Sequence, residues 1–251
     1  MKKLAVLLFS LGLFAANAQA FSLTDPFYKP EAGQIIGDLN IALTNEDARF
    51  DESFAIKGGI ELGIMDRLVL GVNFGWANIR HHSKGLIDPT ITAKYRFRDG
   101  LNDGYYIDLD GFFSPQTFDS WQSNEGGAKG ATDLGATLKI GSTELMNNFT
   151  VYAGAAAKHY GHSKLFSAGT GITALAGAKY YVDEKNSFEL SFNASNYMGF
   201  ICNHIGAGFD INYAYEFDPD KAAFIAYYGA ERHNKHIVSY NHWGVKWRYV
   251  F

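Results

Sequence analysis

Trp243-Gly244-Val245-Lys246-Trp247-Arg248-Tyr249-Val250-Phe251 closes the chain, and its reading decides the fold. Trp243, Val245, Trp247, Tyr249 and Phe251 take every second position, while His242, Gly244, Lys246 and Arg248 fill the gaps, so one face is aromatic and the other cationic or small. That period of two is a strand. In a soluble sheet, a terminal strand ending on an aromatic residue would leave an aggregation-prone edge. A closed barrel in lipid removes the edge, because every strand gains two neighbours and the large apolar residues turn outward to acyl chains.

Working outward, the same alternation recurs along the chain. A first strand near Gly33 to Thr44 sets Ile35, Leu39, Ile41 and Leu43 against Asp38 and Asn40, and a second puts Phe54, Ile56, Ile60 and Leu62 opposite Lys57 and Glu61. After a tight turn at Met65-Asp66-Arg67 comes a third, Leu68 to Trp76, and then a loop from Ala77 to Leu86. Strand four faces lipid with Ile91, Tyr95 and Phe97 and the lumen with Asp88, Thr92, Lys94 and Arg96; strand five carries Asp108 and Asp110 inward. The longest loop runs from Ser114 to about Lys129. Strands six to eleven follow from Leu134, Phe149, Ile172, Phe188, Ile205 and Ala222, with Asp133, Lys139, Lys179, Glu189, Asp210 and Glu216 inward. The seventh is the least distinct, because its two faces are alike in size. Twelve strands is an even number, as a single-chain bacterial barrel needs. Connections after even strands are short and those after odd strands mostly longer, which assigns the short ones and both termini to the periplasmic side.

Residues 1–20 read as a secretory signal, with Lys2 and Lys3 at the start, an apolar run from Leu4 to Ala16, and Ala18-Gln19-Ala20 as the cleavage site. Residues 21–32 form a proline-bounded periplasmic lead-in and 33–251 the barrel. Without the signal the chain keeps 20 basic residues against 26 acidic ones, a balance of about −6 that offers nothing to nucleic acid. A single cysteine, Cys202, excludes an internal disulfide scaffold. No later apolar run is long enough for a membrane-spanning helix.

The ending resembles the C-terminal signal of bacterial outer-membrane proteins, a terminal Phe preceded by alternating aromatics; this implies recognition of Trp243, Val245, Trp247, Tyr249 and Phe251 by the outer-membrane assembly machinery. Gly63-Ile64-Met65-Asp66-Arg67-Leu68 resembles a turn common in outer-membrane barrels. Gly85-Leu86-Ile87-Asp88-Pro89-Thr90 through Lys94-Tyr95-Arg96-Phe97, and Gly130-Ala131-Thr132-Asp133-Leu134-Gly135, are similar to the Gly-x-x-Asp strand openings of the transporters of the meta-pathway of phenol degradation. That resemblance implies an outer-membrane barrel of a Gram-negative envelope, embedded among lipid and lipopolysaccharide and carrying a small solute. In place of the family's Pro-Thr-Gly after a central strand, this chain has Pro115-Gln116-Thr117.

The expected function is a small-solute channel or facilitative transporter with no metabolic cofactor. A barrel of this size lies between side-chain-filled eight-stranded barrels and open porins. Lys57, Glu61, Asp88, Lys94, Arg96, Asp108, Asp110, Lys179, Glu189, Asp210, Lys246 and Arg248 are the candidate selectivity wall, where opposed charges orient solutes. The same residues could instead pair across strands, Lys94 with Asp108 and Lys179 with Glu189, and simply fill the interior. Eight histidines, His81, His82, His159, His162, His204, His233, His236 and His242, fall in outer loops or outer strand ends. With Cys202, His204 is a weak metal candidate, since no spacing matches a metal motif. Two other readings stand: a non-conducting structural or adhesive barrel, and an outer-membrane lipid hydrolase using Ser163, Ser167 or Ser239 near a histidine. No nucleophile motif surrounds those serines, so no catalytic residue is assigned and the chain is read as a non-enzyme. Trp76, Tyr95, Tyr180, Tyr215 and Trp243 near strand ends suit interfacial girdles.

Overall fold

The computed structural model describes residues 22–46, 52–79, 83–100, 104–117, 131–142, 148–162, 168–199, 203–234 and 239–251. The signal segment, His81, His82, His236, Cys202, Ser163 and Ser167 lie outside them. Among the described residues there are twelve strands: β1 (Ile35–Glu46), β2 (Glu52–Met65), β3 (Leu68–Ile79), β4 (Ser83–Arg98), β5 (Tyr106–Ser114), β6 (Asp133–Ser142), β7 (Phe149–Tyr160), β8 (Gly169–Tyr181), β9 (Asn186–Met198), β10 (His204–Asp218), β11 (Ala222–His233) and β12 (Tyr240–Val250). Each pairs antiparallel with its sequence neighbours, and β1 closes on β12 from Ile36↔Val250 to Glu46↔Tyr240. Closure leaves no edge, so the backbone groups of the wall are satisfied within it.

Alternation sorts the side chains as expected. Leu39, Ile60, Phe74, Ile91, Leu138, Ile172, Phe192 and Ile211 are each about half exposed on the outer wall. Large apolar side chains left bare in a ring mark a surface made for hydrocarbon rather than water. Aromatic pairs crowd the outer wall near the strand ends, as with Tyr95 and Phe97 at 4.9 Å, Tyr215 and Phe217 at 5.0 Å, and Phe149 and Tyr180 at 4.8 Å between ring centres. Strand seven resolves the same way, with Tyr152, Gly154, Ala156, Lys158 and Tyr160 inward and the small Ala153, Ala155 and Ala157 outward.

Two expectations change. The stretch from Ala77 to Leu86 is mostly strand, because β3 and β4 stay paired to Ile79↔Ser83. A bulge makes that possible: Asn73 faces Thr90 and Gly75 faces Ile87, so β4 absorbs one extra residue around Asp88-Pro89. Proline has no N–H for the ladder, which is why it sits at a bulge. The length asymmetry of the connections therefore rests mainly on 115–132 and 161–168.

The second change concerns the lead-in. Residues 22–34 turn into the barrel at the end that carries Ile35 and Val250, here the inner end. Leu23 packs on the inward-facing Ile36, Ala223 and Val250, and both Leu23 and Phe27 are fully buried. The Phe27 ring stacks on Tyr106 at 5.2 Å and meets the edge of Tyr152 at 6.4 Å. Gly33 N–H donates to Gly63 O at 2.8 Å and Gly63 N–H to Gln34 O at 3.0 Å, extending the ladder to where the segment bends inward.

Two substitutions test this architecture. Phe192→Arg, at the middle of an outward row, is expected to lower unfolding stability in lipid vesicles by about 2–4 kcal/mol; a loss below about 0.5 kcal/mol would contradict a lipid-facing position. A Cβ on Gly63 would lie 1.9 Å from the Glu31 carbonyl oxygen. Gly63→Ala should therefore displace residues 30–34 at a cost of about 1–3 kcal/mol, read as faster protease cleavage near Pro30 while the barrel itself stays folded.

Candidate functional site

The lumen wall is charged, and most of its charges are paired. Lys94 Nζ lies 2.6 Å from Glu61 Oε1, Lys139 Nζ 3.1 Å from Asp110 Oδ2, and Lys246 Nζ 2.9 Å from Asp38 Oδ2. Arg96 holds Asp108 with two N–H groups at 3.0 and 3.1 Å, and Arg248 holds Asp38 at 2.9 and 3.0 Å. The two-pronged geometry matches guanidinium to carboxylate. Lys94 thus takes Glu61, across β3, where the sequence suggests Asp108. Glu189 is the cross-strand neighbour of Lys179 but receives Tyr152 OH at 2.6 Å and Asn212 Nδ2 at 3.2 Å instead. Asp210 meets His242 Nε2 at 2.7 Å. Lys57 is exposed and has no hydrogen bond or ion pair among the described residues.

The wall cations have a second task. Arg248 Nη1 donates to Leu23 O at 3.0 Å, Lys179 Nζ to Thr24 O, Lys139 Nζ to Pro26 O at 3.0 Å, and Arg96 Nη2 to Phe27 O. Four strands therefore supply one donor each to carbonyls of the inserted segment. A peptide inside a barrel has no ladder partner, so its carbonyls need such donors. Asp25 locks the turn: its Oδ1 accepts Phe27 N–H at 2.7 Å, and its Oδ2 accepts Thr150 Oγ1–H at 2.6 Å and the Tyr181 hydroxyl. Glu216 accepts from Thr24 Oγ1 at 3.1 Å and from Ser22 Oγ. Lys29 sits 3.6 Å from Asp108, and burial pushes its ammonium down to about 8 against the pull of that carboxylate.

At the opposite, outer end, Glu231 is enclosed by Tyr197 OH at 3.2 Å, by the Tyr240 hydroxyl and by His233 Nε2 at 3.3 Å. His204 stacks on Tyr197 at 4.5 Å and lies 5.2 Å from His233. The sequence reading missed Glu231 and the lumen tyrosines, having placed aromatic residues on the lipid side; strand parity alone puts Tyr152, Tyr160, Tyr197 and Tyr227 on the charged face. Among the described residues no group of three or more His, Cys, Asp or Glu could hold a metal ion. His159 is exposed on the outer face, and Ser239 Oγ accepts the backbone N–H of His233 at 3.1 Å. The two Gly-x-x-Asp openings also acquire a local reason. Asp88 Oδ1 accepts Thr117 N–H at 2.8 Å and Asp133 Oδ1 accepts Gly161 N–H at 3.0 Å, so each aspartate anchors a neighbouring outer connection.

No protein-family model matches the chain, and no curated protein matches it in sequence. Solved structures do match it in shape. An outer-membrane channel from Pseudomonas putida F1 superposes with a TM-score of 0.71 at 13% identity, over 91% of this chain and 100% of that one. The NanC porin superposes at 0.57 with 8% identity, over 84% and 98%, and the KdgM porin at 0.50 with 10% identity, over 84% and 98%. At such identities the likeness is one of fold: the chain has the closed antiparallel barrel of outer-membrane channels and porins.

Proposed function

We propose that this barrel is an outer-membrane channel for small polar solutes, held in a restricted state by residues 22–34 lodged in its inner end. The observation that carries the reading is the way the segment is held. Its carbonyls rest on cations that belong to the wall, and Arg248, Arg96 and Lys139 each keep a wall carboxylate as well. Withdrawing the segment would leave those three ion pairs intact and bare to water the charged wall together with the small apolar patch of Ile36, Ala223 and Val250. Water can take the place of the segment's polar contacts, and the two apolar anchors, Leu23 and Phe27, are what its withdrawal has to uncover.

The outward apolar wall and the aromatic rows near strand ends support an outer-membrane location. We further infer that the terminal Phe251 and its alternating aromatics serve recognition by the assembly machinery; the Phe251 side chain is 77% exposed and free to be bound. The narrower kinship with transporters of the meta-pathway of phenol degradation rests on the two Gly-x-x-Asp openings and would make the cargo a small organic molecule. The extensive pairing of wall charges also suits a barrel that conducts nothing.

Planar-bilayer recording separates the two. The chain starting at residue 21 is expected to show a small conductance, and the same chain lacking residues 22–31 a severalfold larger one. Silence from both, with folded barrels in the bilayer, would discard the channel. Lys57, a lumen cation with no hydrogen bond or ion pair among the described residues, should favour anions. Lys57→Glu is expected to move the reversal potential in a KCl gradient toward cations while changing unfolding stability by less than about 0.5 kcal/mol.

A further inference from the structure

Directly above the inserted segment the lumen widens into a cavity of about 220 Å³, lined by Lys179, Lys246, Glu189, Asn212 and Tyr227, with Thr24 of the segment as its floor. Beside it, Asn40 of β1 pairs with Lys246 on one side and with Lys57, which lies outside the lining, on the other. Tyr227 reaches the same amide, donating to Asn40 Oδ1 at 2.9 Å.

The charges that line the cavity do not balance. Lys246 and Arg248 share one carboxylate, that of Asp38. Lys179, nearly fully buried at 2% exposure, gives its hydrogen bonds to the Thr24 carbonyl and hydroxyl, both uncharged. Three carboxylates attract Lys179 without bonding it: Glu189 is engaged by Tyr152 and Asn212, Asp25 by Thr150 and Tyr181, and Glu216 by Ser22 and Thr24. The lining itself thus holds two cations, Lys179 and Lys246, against one carboxylate, Glu189. An ammonium whose hydrogen bonds all go to neutral oxygens gains from a charged acceptor, which binds it roughly twice as strongly. An anion entering the cavity would find Lys179 and Lys246 as donors and the hydroxyl of Tyr227 and amide of Asn212 close by. The volume admits a small solute, equal to about seven waters at ~30 Å³ each.

We propose that this cavity is a binding site for a small oxyanion of carboxylate or phosphate type, and that the anion competes with Thr24 for Lys179 so that filling the site loosens the inserted segment. The proposal rests on reading the lumen as a solute path, and it makes the solute itself the key to the inner end. Because Lys179 cannot serve Thr24 and the anion fully at once, docking of the segment and binding of the anion oppose each other, and the coupling is reciprocal.

The test follows the segment directly. Ser22→Cys is placed in a Cys202→Ser chain, and the rate of labelling by a water-soluble maleimide is measured in lipid vesicles. Sodium acetate or sodium phosphate should raise that rate saturably, by about fivefold or more, over sodium chloride of equal ionic strength. Lys179→Met should raise the basal rate and abolish the response to either anion. Thr24→Val, which keeps the lysine, should raise the basal rate and shift the anion response to lower concentration. Labelling indifferent to acetate and phosphate, or a response that survives Lys179→Met, overturns the proposal. Labelling does not depend on conduction. A barrel that passes no current but whose segment still answers to the anion would remove the channel reading and keep this site; a conducting barrel with an unresponsive segment would do the reverse.

Discussion

A bilayer core offers no water to an unpaired peptide group, and the pairing of β1 with β12 is what meets that demand. Everything else in the molecule follows from closing the ring. Once the strands form a tube, the period-two alternation can face only two media, and each residue type goes to the medium that tolerates it. Phe74, Phe192 and Trp247 stand on the outside, where a soluble domain would hide them. Asp38, Lys94 and Arg96 stand inside, where lipid cannot reach them.

Closure creates a second demand, at the inner end. Charges lining a narrow tube lose part of their hydration, and they recover it from one another, so Arg96–Asp108 and Arg248–Asp38 are two-pronged and shielded. The inserted segment meets the reciprocal need: it brings carbonyls that lack a ladder and takes donors that still have N–H groups to give. Arginine suits this double service because its planar fork offers several donors in different directions. Lysine does so less completely. Lys139 reaches both Asp110 and Pro26 O, whereas Lys179 gives its hydrogen bonds, among the described residues, to Thr24 alone.

Much of this is written in the alternation itself. Strand number, the direction of each face, the inward charges and the aromatic rows all follow from parity, and parity survives even where a strand is weak, as in β7. The inner end also left a trace in the sequence. Ile36, Val69, Ala223 and Val250 occupy inward positions and are buried, breaking the rule of polar residues inside. Apolar side chains facing a water-filled lumen would be exposed at a loss, so their presence signals that something covers them. Leu23 covers Ile36, Ala223 and Val250. The bulge at Asp88-Pro89 was similarly marked by a proline within a strand pattern.

The sequence by itself therefore determined the wall: a period of two, read over twelve segments, leaves a closed barrel with an apolar outside and a charged inside. Only the tertiary structure decided how the charges are spent. Lys94 binds Glu61 rather than Asp108, Glu189 binds Tyr152 rather than Lys179, and four wall cations hold the carbonyls of residues 23, 24, 26 and 27. The reason is physical. Which face a side chain takes is a local property of the strand, but partners across a lumen are set by three-dimensional distance, and a backbone carbonyl is the same in every residue and leaves no mark in the sequence.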